Sequence, residues 1–243
     1  MVAQGALKGE ATGVNKIYAS PAEAVADVFD GAVIMIGGFG PVGSPAKLVF
    51  ALADQGARDL TIITNNVGLG DRLDVLFENR QVRKFIGSFP IRTWGARTTF
   101  LQEQWRAGEI EVEVVPQGTV AERIRAGGAG LGGFYTPTGV GTVVEQGKER
   151  RTLNGREYLL EMPLHADFAL IRAQRADTMG NLVYRMATRN FNPVMATAAD
   201  VTIAEVQEIV PAGALDPEVI VTPGIFVKRI VQAERDEIRW FDS

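Results

Sequence analysis

The sequence predicts an α/β fold in which a mostly parallel sheet is flanked by helices. Apolar runs without polar alternation, typical of strands buried on both faces, occur at 32–36 and 60–64. Helix-forming segments lie between such strands and are joined to them by short connections. The 243 residues, with a hydrophobic content of 46%, can form one sizeable core. We therefore expect a flexible leader over residues 1–16 and a single domain over residues 17–243.

The helices are predicted in order along the chain. Ser20 can cap the first, Pro21 suits its first position and Glu23 completes a capping box, and this helix is expected to end near Gly31. Further helices are predicted at 44–56, 71–79, 98–107 and 119–126.

Further strands are predicted between and after these helices. Their expected positions are 82–86, 110–115, 168–172, 182–185, 201–206 and 226–231. Residues 147–156 are polar and charged, which predicts a surface excursion within the domain.

Composition excludes several classes of function. A net charge of -4 does not favour nucleic acid as a partner. The chain has no cysteine and only one histidine, His165, so neither a disulfide nor a metal site is expected. No apolar run is long enough to span a bilayer, and the first 16 residues do not resemble a signal peptide. We therefore expect a cytoplasmic protein without a membrane partner.

A glycine-rich segment follows the first buried strand and has three interpretations. Residues 38–43 match the pattern G-x-G-x-x-G, which suggests a dinucleotide site. Such a site needs an acidic residue about 20 positions further on, but Thr64, Asn65 and Asn66 stand there instead. The glycines could also form only a tight turn. A third interpretation is a different ligand site at the carboxyl end of the strand.

A larger set of segments resembles the family I CoA-transferases. These segments, in the order of the chain, are Asp30-Gly31, Gly37-Gly38-Phe39 with Gly43 and Pro45, Thr64-Asn65-Asn66, Pro116-Gln117-Gly118-Thr119, the stretch 121–130, the stretch 134–139, Asp177 with Gly180-Asn181, and Arg189-Asn190-Phe191-Asn192. The resemblance extends over nearly the whole chain from about Lys16. It implies the fold shared by CoA-transferases and some sugar-phosphate isomerases.

The resemblance also implies an activity and a partner. Enzymes of this family move CoA from a thioester such as succinyl-CoA to a carboxylic acid such as acetoacetate or 3-oxoadipate, in ping-pong order and with no bound cofactor. Their glutamate nucleophile lies in a Ser-Glu-Asn-Gly setting on the beta-type half. The nearest segment here surrounds Glu78 and lacks the serine and the glycine, so we interpret Glu78 as a surface residue. The chain is thus expected to be the alpha-type subunit of a heterodimer or an α2β2 heterotetramer.

The resemblance assigns site residues at three places. Gln117 is the expected donor to an acyl or anhydride oxygen, although after Pro116 it could be a turn residue. Asn65 and Asn66 could donate to a substrate carboxylate or could simply form a turn. The wall of the acyl pocket is expected to consist of Gly37, Gly38, Phe39 and Gly40.

Other features leave alternatives open. Arg92 and Trp94 replace an element that is common in the family, and we hypothesise that Arg92 binds the distal carboxylate of a dicarboxylic substrate; a remodelled surface loop is the alternative. Arg123 and Arg125 are interpreted as structural ion-pair residues. The glycines of 127–133 could shape the pocket or join two elements. A non-catalytic ligand-sensing or interaction protein on the same scaffold is the competing function, and no acid/base pair for an isomerase or serine elbow for a hydrolase is found.

Overall fold

The computed structural model describes residues 15–68, 72–91 and 98–233. Strands make up most of its regular structure. In chain order they are β1 (Ile17–Tyr18), β2 (Val33–Ile36), β3 (Leu60–Ile63), β4 (Val82–Gly87), β5 (Glu111–Val114), β6 (Phe134–Thr136), β7 (Arg150–Leu153), β8 (Arg156–Glu161), β9 (Ala166–Asp177), β10 (Leu182–Val183), β11 (Ala199–Val210) and β12 (Val227–Gln232).

The helices lie mainly between the strands of the first half of the chain. They are α1 (Pro21–Ala24), α2 (Ala46–Gln55), α3 (Asp74–Glu78), α4 (Phe100–Ala107), α5 (Gln117–Gly128) and α6 (Asn192–Ala196). No helix among the described residues is long and apolar enough to cross a membrane.

The central sheet is almost entirely parallel, as predicted. Its strand order is β1-β12-β11-β9-β2-β3-β4-β5, and neighbours in this order run parallel. Strand β10 adds an antiparallel pairing to the end of β9. A second, antiparallel sheet has the order β6-β8-β7. The consequence for function is that β2, β3, β4 and β5 all end at one edge, called here the carboxyl edge.

Apolar side chains pack on both faces of the central sheet. Ile34 and Ile36 of β2 belong to one buried cluster, which also contains side chains of α2, α3 and α4. Met35, between them, belongs to a second cluster with side chains of α5 and α6. Because successive residues of a strand face opposite sides, this arrangement requires an uninterrupted apolar run. Burial on both faces therefore explains the continuous apolar run at 32–36.

Three predicted elements, α1, β9 and β11, show the largest differences in extent from the structure. Helix α1 ends at Ala24, well before Gly31, because the backbone continues in tighter turns in which Val28 N donates to Val25 O. Strands β9 and β11 have 12 residues each and continue past the carboxyl end of β2, where Ile36 pairs with Leu170. They are longer than predicted because they pair with each other through Asp177.

The predicted surface excursion at 147–156 contains the first strand and the turn of a β-hairpin. Strand β7 is exposed, as expected for a surface segment, and it pairs with β8. Asn154 and Gly155 connect the two strands with φ angles of 50° and 77°, the left-handed conformations that a two-residue hairpin turn needs. The Asn-Gly pair was a signal for this hairpin in the sequence.

The predicted leader and the single domain remain predictions. Residues 1–14 lie outside the described residues. Lys16 donates to the backbone oxygens of Met179 (2.9 Å) and Gly224 (2.7 Å), so the described part of the expected leader is attached to the body of the protein.

Candidate functional site

The predicted site residues meet at the carboxyl edge. Residues 37–40 follow β2, and Asn65 and Asn66 follow β3. Gln117 is the first residue of α5, which follows β5 after a connection of two residues. Because parallel strands carry their carboxyl ends at the same edge, segments far apart in the sequence become neighbours there. Strand β4 lies between β3 and β5 in the sheet, so a contact from Gln117 to Asn65 spans the end of β4.

Four groups form one continuous chain of hydrogen bonds, which we call the amide network. Gln117 Nε2 donates to Asn65 Oδ1 at 2.7 Å, and Asn65 Nδ2 donates to Asn66 Oδ1 at 2.8 Å. The backbone nitrogen of Gly40 donates to the same Asn66 oxygen at 2.9 Å. The structure thus joins three of the predicted segments through side chains whose amide orientations are mutually consistent.

The amide network offers neutral donors and no nucleophile. Asn65 is 1% exposed, whereas Gln117 is half-buried. The bond to Asn65 uses one of the two hydrogens on Gln117 Nε2, which leaves the other for an oxygen of a ligand. Glutamine and asparagine cannot attack a thioester, so the arrangement fits the stabilisation of negative charge that develops on a substrate oxygen.

The glycine loop, residues 37–44, has a compact shape that its glycines permit. Phe39 and Val42 exchange backbone hydrogen bonds of 3.0 and 3.2 Å, which closes a tight turn. Gly38, Gly40 and Gly43 have φ angles of 122°, 56° and 73°, a region that side chains disfavour. Of the four predicted wall residues, Gly37 and Gly38 are buried, Gly40 is half-buried and Phe39 is 51% exposed.

The dinucleotide interpretation of this loop fails at the start of the next helix. In a dinucleotide fold, the first amides of that helix bind pyrophosphate. Here Glu205 Oε2 accepts from Lys47 N (2.9 Å) and Leu48 N (3.1 Å) at the start of α2. Glu205 is fully buried and also pairs with Arg172. A protein carboxylate therefore occupies the position where a pyrophosphate would bind.

Ser88 is a residue at this edge that the sequence reasoning did not select. It follows β4, and its backbone nitrogen donates to Asn65 O at 3.1 Å. Its hydroxyl is buried and has no hydrogen-bond partner among the described residues. A single serine after a buried strand carries no distinguishing pattern, so no signal in the sequence could have identified it.

Helix α5, which carries Gln117, is attached to the edge strand β5 by an ion pair. Arg123 donates to Glu113 (2.7 Å) and to the backbone oxygen of Met162 (2.8 Å), and Lys84 lies 3.3 Å from Glu113. Burial alone would raise the pKa of Glu113, but the hydrogen bond from Arg123 and the two positive charges outweigh it, so the pKa lies below its usual value. The structural interpretation of Arg123 is confirmed.

The remaining predicted residues are placed away from the amide network. Arg125 pairs with Glu122 on the surface of α5, and Glu78 and His165 are exposed, as expected. In the second glycine cluster, a Cβ on Gly127 would lie 1.9 Å from Leu164 O, so this glycine allows close packing of two elements.

The structure does not test the prediction for Arg92 and Trp94. Arg92 and Trp94 lie outside the described residues. Within the described ranges, no group of three or more histidine, aspartate or glutamate side chains could hold a metal ion.

Comparison with known proteins gives consistent matches. A family model described as "Coenzyme A transferase" matches residues 18–233. The A-type subunit of the 3-oxoadipate CoA-transferase of Pseudomonas putida is 54% identical over 219 residues, which cover 90% of this chain and 94% of that protein. The A-type subunit of a probable succinyl-CoA:3-ketoacid coenzyme A transferase of Bacillus subtilis (strain 168) is 48% identical over 93% of each chain.

A solved structure extends the likeness to the fold. The acyl-CoA transferase of Escherichia coli O157:H7, determined as a thioester complex with CoA, superimposes with a TM-score of 0.78 at 25% identity. The match covers 90% of this chain and 47% of that one, so the present chain spans about half of that longer protein.

Proposed function

Because the chain belongs to the coenzyme A transferase family, we propose that it is the alpha-type subunit of a 3-oxoacid CoA-transferase that acts only with a beta-type subunit. The proposed donor is an acyl-CoA such as succinyl-CoA, and the acceptor is acetoacetate or 3-oxoadipate. The names of the Pseudomonas and Bacillus relatives support these substrates and the assignment to one of two subunit types. The proposed assembly is a heterodimer or an α2β2 heterotetramer.

The amide network is the observation that carries the proposal. Three segments of the chain place Gln117, Asn65 and Asn66 in one hydrogen-bonded row beside the glycine loop. In the proposed reaction, a glutamate carboxylate from the beta-type partner attacks the thioester carbonyl carbon. The carbon–sulfur bond breaks, CoA leaves as the thiolate, and an acyl–glutamyl anhydride remains. Gln117 donates to the oxyanion of the tetrahedral intermediate.

The next steps transfer CoA first to the glutamate and then to the acceptor acid. The CoA thiolate attacks the glutamyl carbonyl of the anhydride, so that the first acid leaves and a glutamyl-CoA thioester forms. The acceptor acid then attacks this thioester, and the same two steps run in reverse. No electron transfer occurs, so the proposal requires no bound cofactor, and CoA thioesters are substrates. The proposal includes a cytoplasmic location, with which the lack of cysteine is compatible.

The decisive test is reconstitution. The chain is co-expressed with beta-type partners and assayed for succinyl-CoA-dependent transfer to acetoacetate and to 3-oxoadipate, with each protein by itself as a control. We expect activity only in the mixture, and the better acceptor identifies the substrate. A folded complex with a partner of proven competence that transfers nothing would refute the proposal and favour a ligand-sensing or interaction protein.

The specificity for a dicarboxylic acceptor is proposed to depend on Arg92. Replacing Arg92 with alanine should raise KM for 3-oxoadipate by about tenfold or more, the effect of losing a hydrogen bond to a charged group. The KM for acetoacetate, which lacks the second carboxylate, should change much less. Equal changes for the two acceptors would contradict this role.

A further inference from the structure

We propose that Asn192 is a positioning residue that fixes the glycine loop from behind and, through the loop, sets the amide network. This inference rests on the proposed transferase function. It also gives a role to two residues, Asn190 and Asn192, of the segment 189–192 that belongs to the resemblance.

The side chain of Asn192 is fully buried, and it forms hydrogen bonds with backbone groups and with Asn190 Oδ1, to which its Nδ2 donates at 3.2 Å. Its Oδ1 accepts from Arg172 N at 2.9 Å. Its Nδ2 donates to Gly43 O at 3.1 Å and to Thr188 O at 2.9 Å. One side chain therefore joins strand β9, the glycine loop and the turn that precedes α6.

The side chain of Asn192 leaves no room for a Cβ at two glycine positions of the loop. A Cβ on Gly37 would lie 2.0 Å from Asn192 Oδ1, and a Cβ on Gly43 would lie 2.8 Å from its Nδ2. Neither position could carry a side chain without displacing Asn192. Gly37 is thus needed for packing behind the loop, whatever it contributes to the wall of an acyl pocket.

Asn190 supports the same loop at the preceding residue. Its Nδ2 donates to Val42 O at 2.9 Å, so Asn190 and Asn192 bind two consecutive carbonyl groups of the loop. Both asparagines come from a segment nearly 150 residues further along the chain. Such paired bonds restrict both the position and the rotation of the loop backbone.

A hydrogen bond links the glycine loop to the amide network. Three residues before Gly43, Gly40 N donates to Asn66 Oδ1, and this oxygen also accepts from Asn65, the partner of Gln117. A displaced loop would therefore change the donors that surround the reacting oxygen. Misplacement by about 1 Å in an active site can reduce the rate about a hundredfold.

The test is Asn192→Asp in the complex with the beta-type subunit. Aspartate keeps the size of the side chain and the acceptor for Arg172 N, but an ionised carboxylate cannot donate to Gly43 O and Thr188 O. We expect kcat to fall by about 10- to 100-fold, whereas KM for the acyl-CoA changes less than about threefold, because the loop is expected to form the wall of the acyl pocket and not to bind the remote part of CoA.

Gln81→Glu is the matched control. Gln81 is 2% exposed, and its Nε2 donates to two backbone oxygens, of Leu52 (3.2 Å) and Ala57 (3.0 Å). It precedes β4, at the opposite edge of the sheet from Gln117, and it undergoes the same change from amide to carboxylate. We expect a comparable loss of stability with kcat within about twofold of the wild type.

Hydrogen exchange of the loop amides provides a readout that is independent of activity. In the isolated chain, peptides covering residues 37–44 should exchange faster in Asn192→Asp than in the wild type, and Gln81→Glu should leave them unchanged. Should Asn192→Asp fail to fold, Asn190→Ala removes the bond to Val42 O, together with the bonds of the Asn190 side chain to Ala187 O, Phe191 N and Asn192 Nδ2. This variant should give the same pattern, with a decrease in kcat of a few fold.

The outcomes separate the two proposals. A wild-type complex without transferase activity would refute the proposed function while leaving the exchange experiment valid. Wild-type kcat and unchanged loop exchange in a folded Asn192→Asp complex would overturn the positioning role. An equal loss of kcat in Gln81→Glu would show that the effect comes from general destabilisation.

Discussion

The two edges of the central sheet use polar side chains in different ways. At the amino edge, Asp167 accepts from Val33 N at 2.7 Å, and Gln81 donates to two backbone oxygens. At the carboxyl edge, Gln117, Asn65 and Asn66 bond to one another. At the amino edge these bonds satisfy backbone groups away from the predicted site, whereas at the carboxyl edge Gln117 Nε2 keeps one of its two hydrogens for a ligand oxygen. Substitutions at the two edges should therefore differ in which property they change.

The largest effect is expected for Gln117→Ala in the complex with the beta-type subunit. Removing one oxyanion donor lowers kcat by about 10²–10³-fold in known enzymes, and we expect a decrease in this range. The unfolding free energy of the chain should fall by about 1 kcal/mol, at the low end of the cost of an unpaired acceptor, since Asn65 Oδ1 loses its donor but the half-buried position of Gln117 lets water reach it. Steady-state kinetics and urea unfolding measure the two quantities. A decrease in kcat below about threefold would remove Gln117 from the chemistry.

Asp167→Ala should show the reverse pattern. The substitution leaves Val33 N without its acceptor at the start of β2, which should lower the unfolding free energy by about 1.5–3 kcal/mol. Because this bond lies at the edge opposite the amide network, kcat of the complex should stay within about twofold. If kcat fell as much as in Gln117→Ala, the division of roles between the edges would be wrong.

The predictable part of the fold follows from short-range patterns. Strand β2 was predicted because burial on both faces requires an uninterrupted apolar run. Helix α2 was predicted over 44–56; it begins at Ala46 and ends before Gly56, which has φ 86°. The lengths of β9 and β11 were not predicted, since their distal halves pair with each other and contain polar residues such as Arg175 and Glu208. Nothing within one strand reveals such a partner.

The candidate site also has a part that could be predicted from the sequence and a part that could not. Gln117, Asn65 and the glycine loop were predicted from family resemblance, and the rule for carboxyl ends of parallel strands accounts for their proximity. Asn192 could not be assigned a role, because its partner Gly43 lies 149 residues away and a single sequence contains no information on that contact. Its presence in the resemblance indicated importance but not mechanism.

The smallest effect is expected at the ion pair between Glu113 and Arg123, which attaches the helix that carries Gln117 to β5. Glu113→Gln should lower the unfolding free energy by about 0.5–1 kcal/mol near neutral pH, because the side chain is 34% exposed and its pairing with Arg123 and Lys84 is screened. Glu122→Gln, in the more exposed pair with Arg125 on the same helix, is the matched control and should lose less.

The pH dependence of this difference gives the sharper measurement. Because folding lowers the pKa of Glu113 below its usual value of 4.5, its contribution is complete above that value and is lost as the pH falls through the lower pKa of the folded state. Urea unfolding at pH 7, 5 and 3.5 should therefore show the wild type and Glu113→Gln converging in acid. A difference that stays constant across this range would mean that Glu113 stabilises α5 through packing and not through its charge.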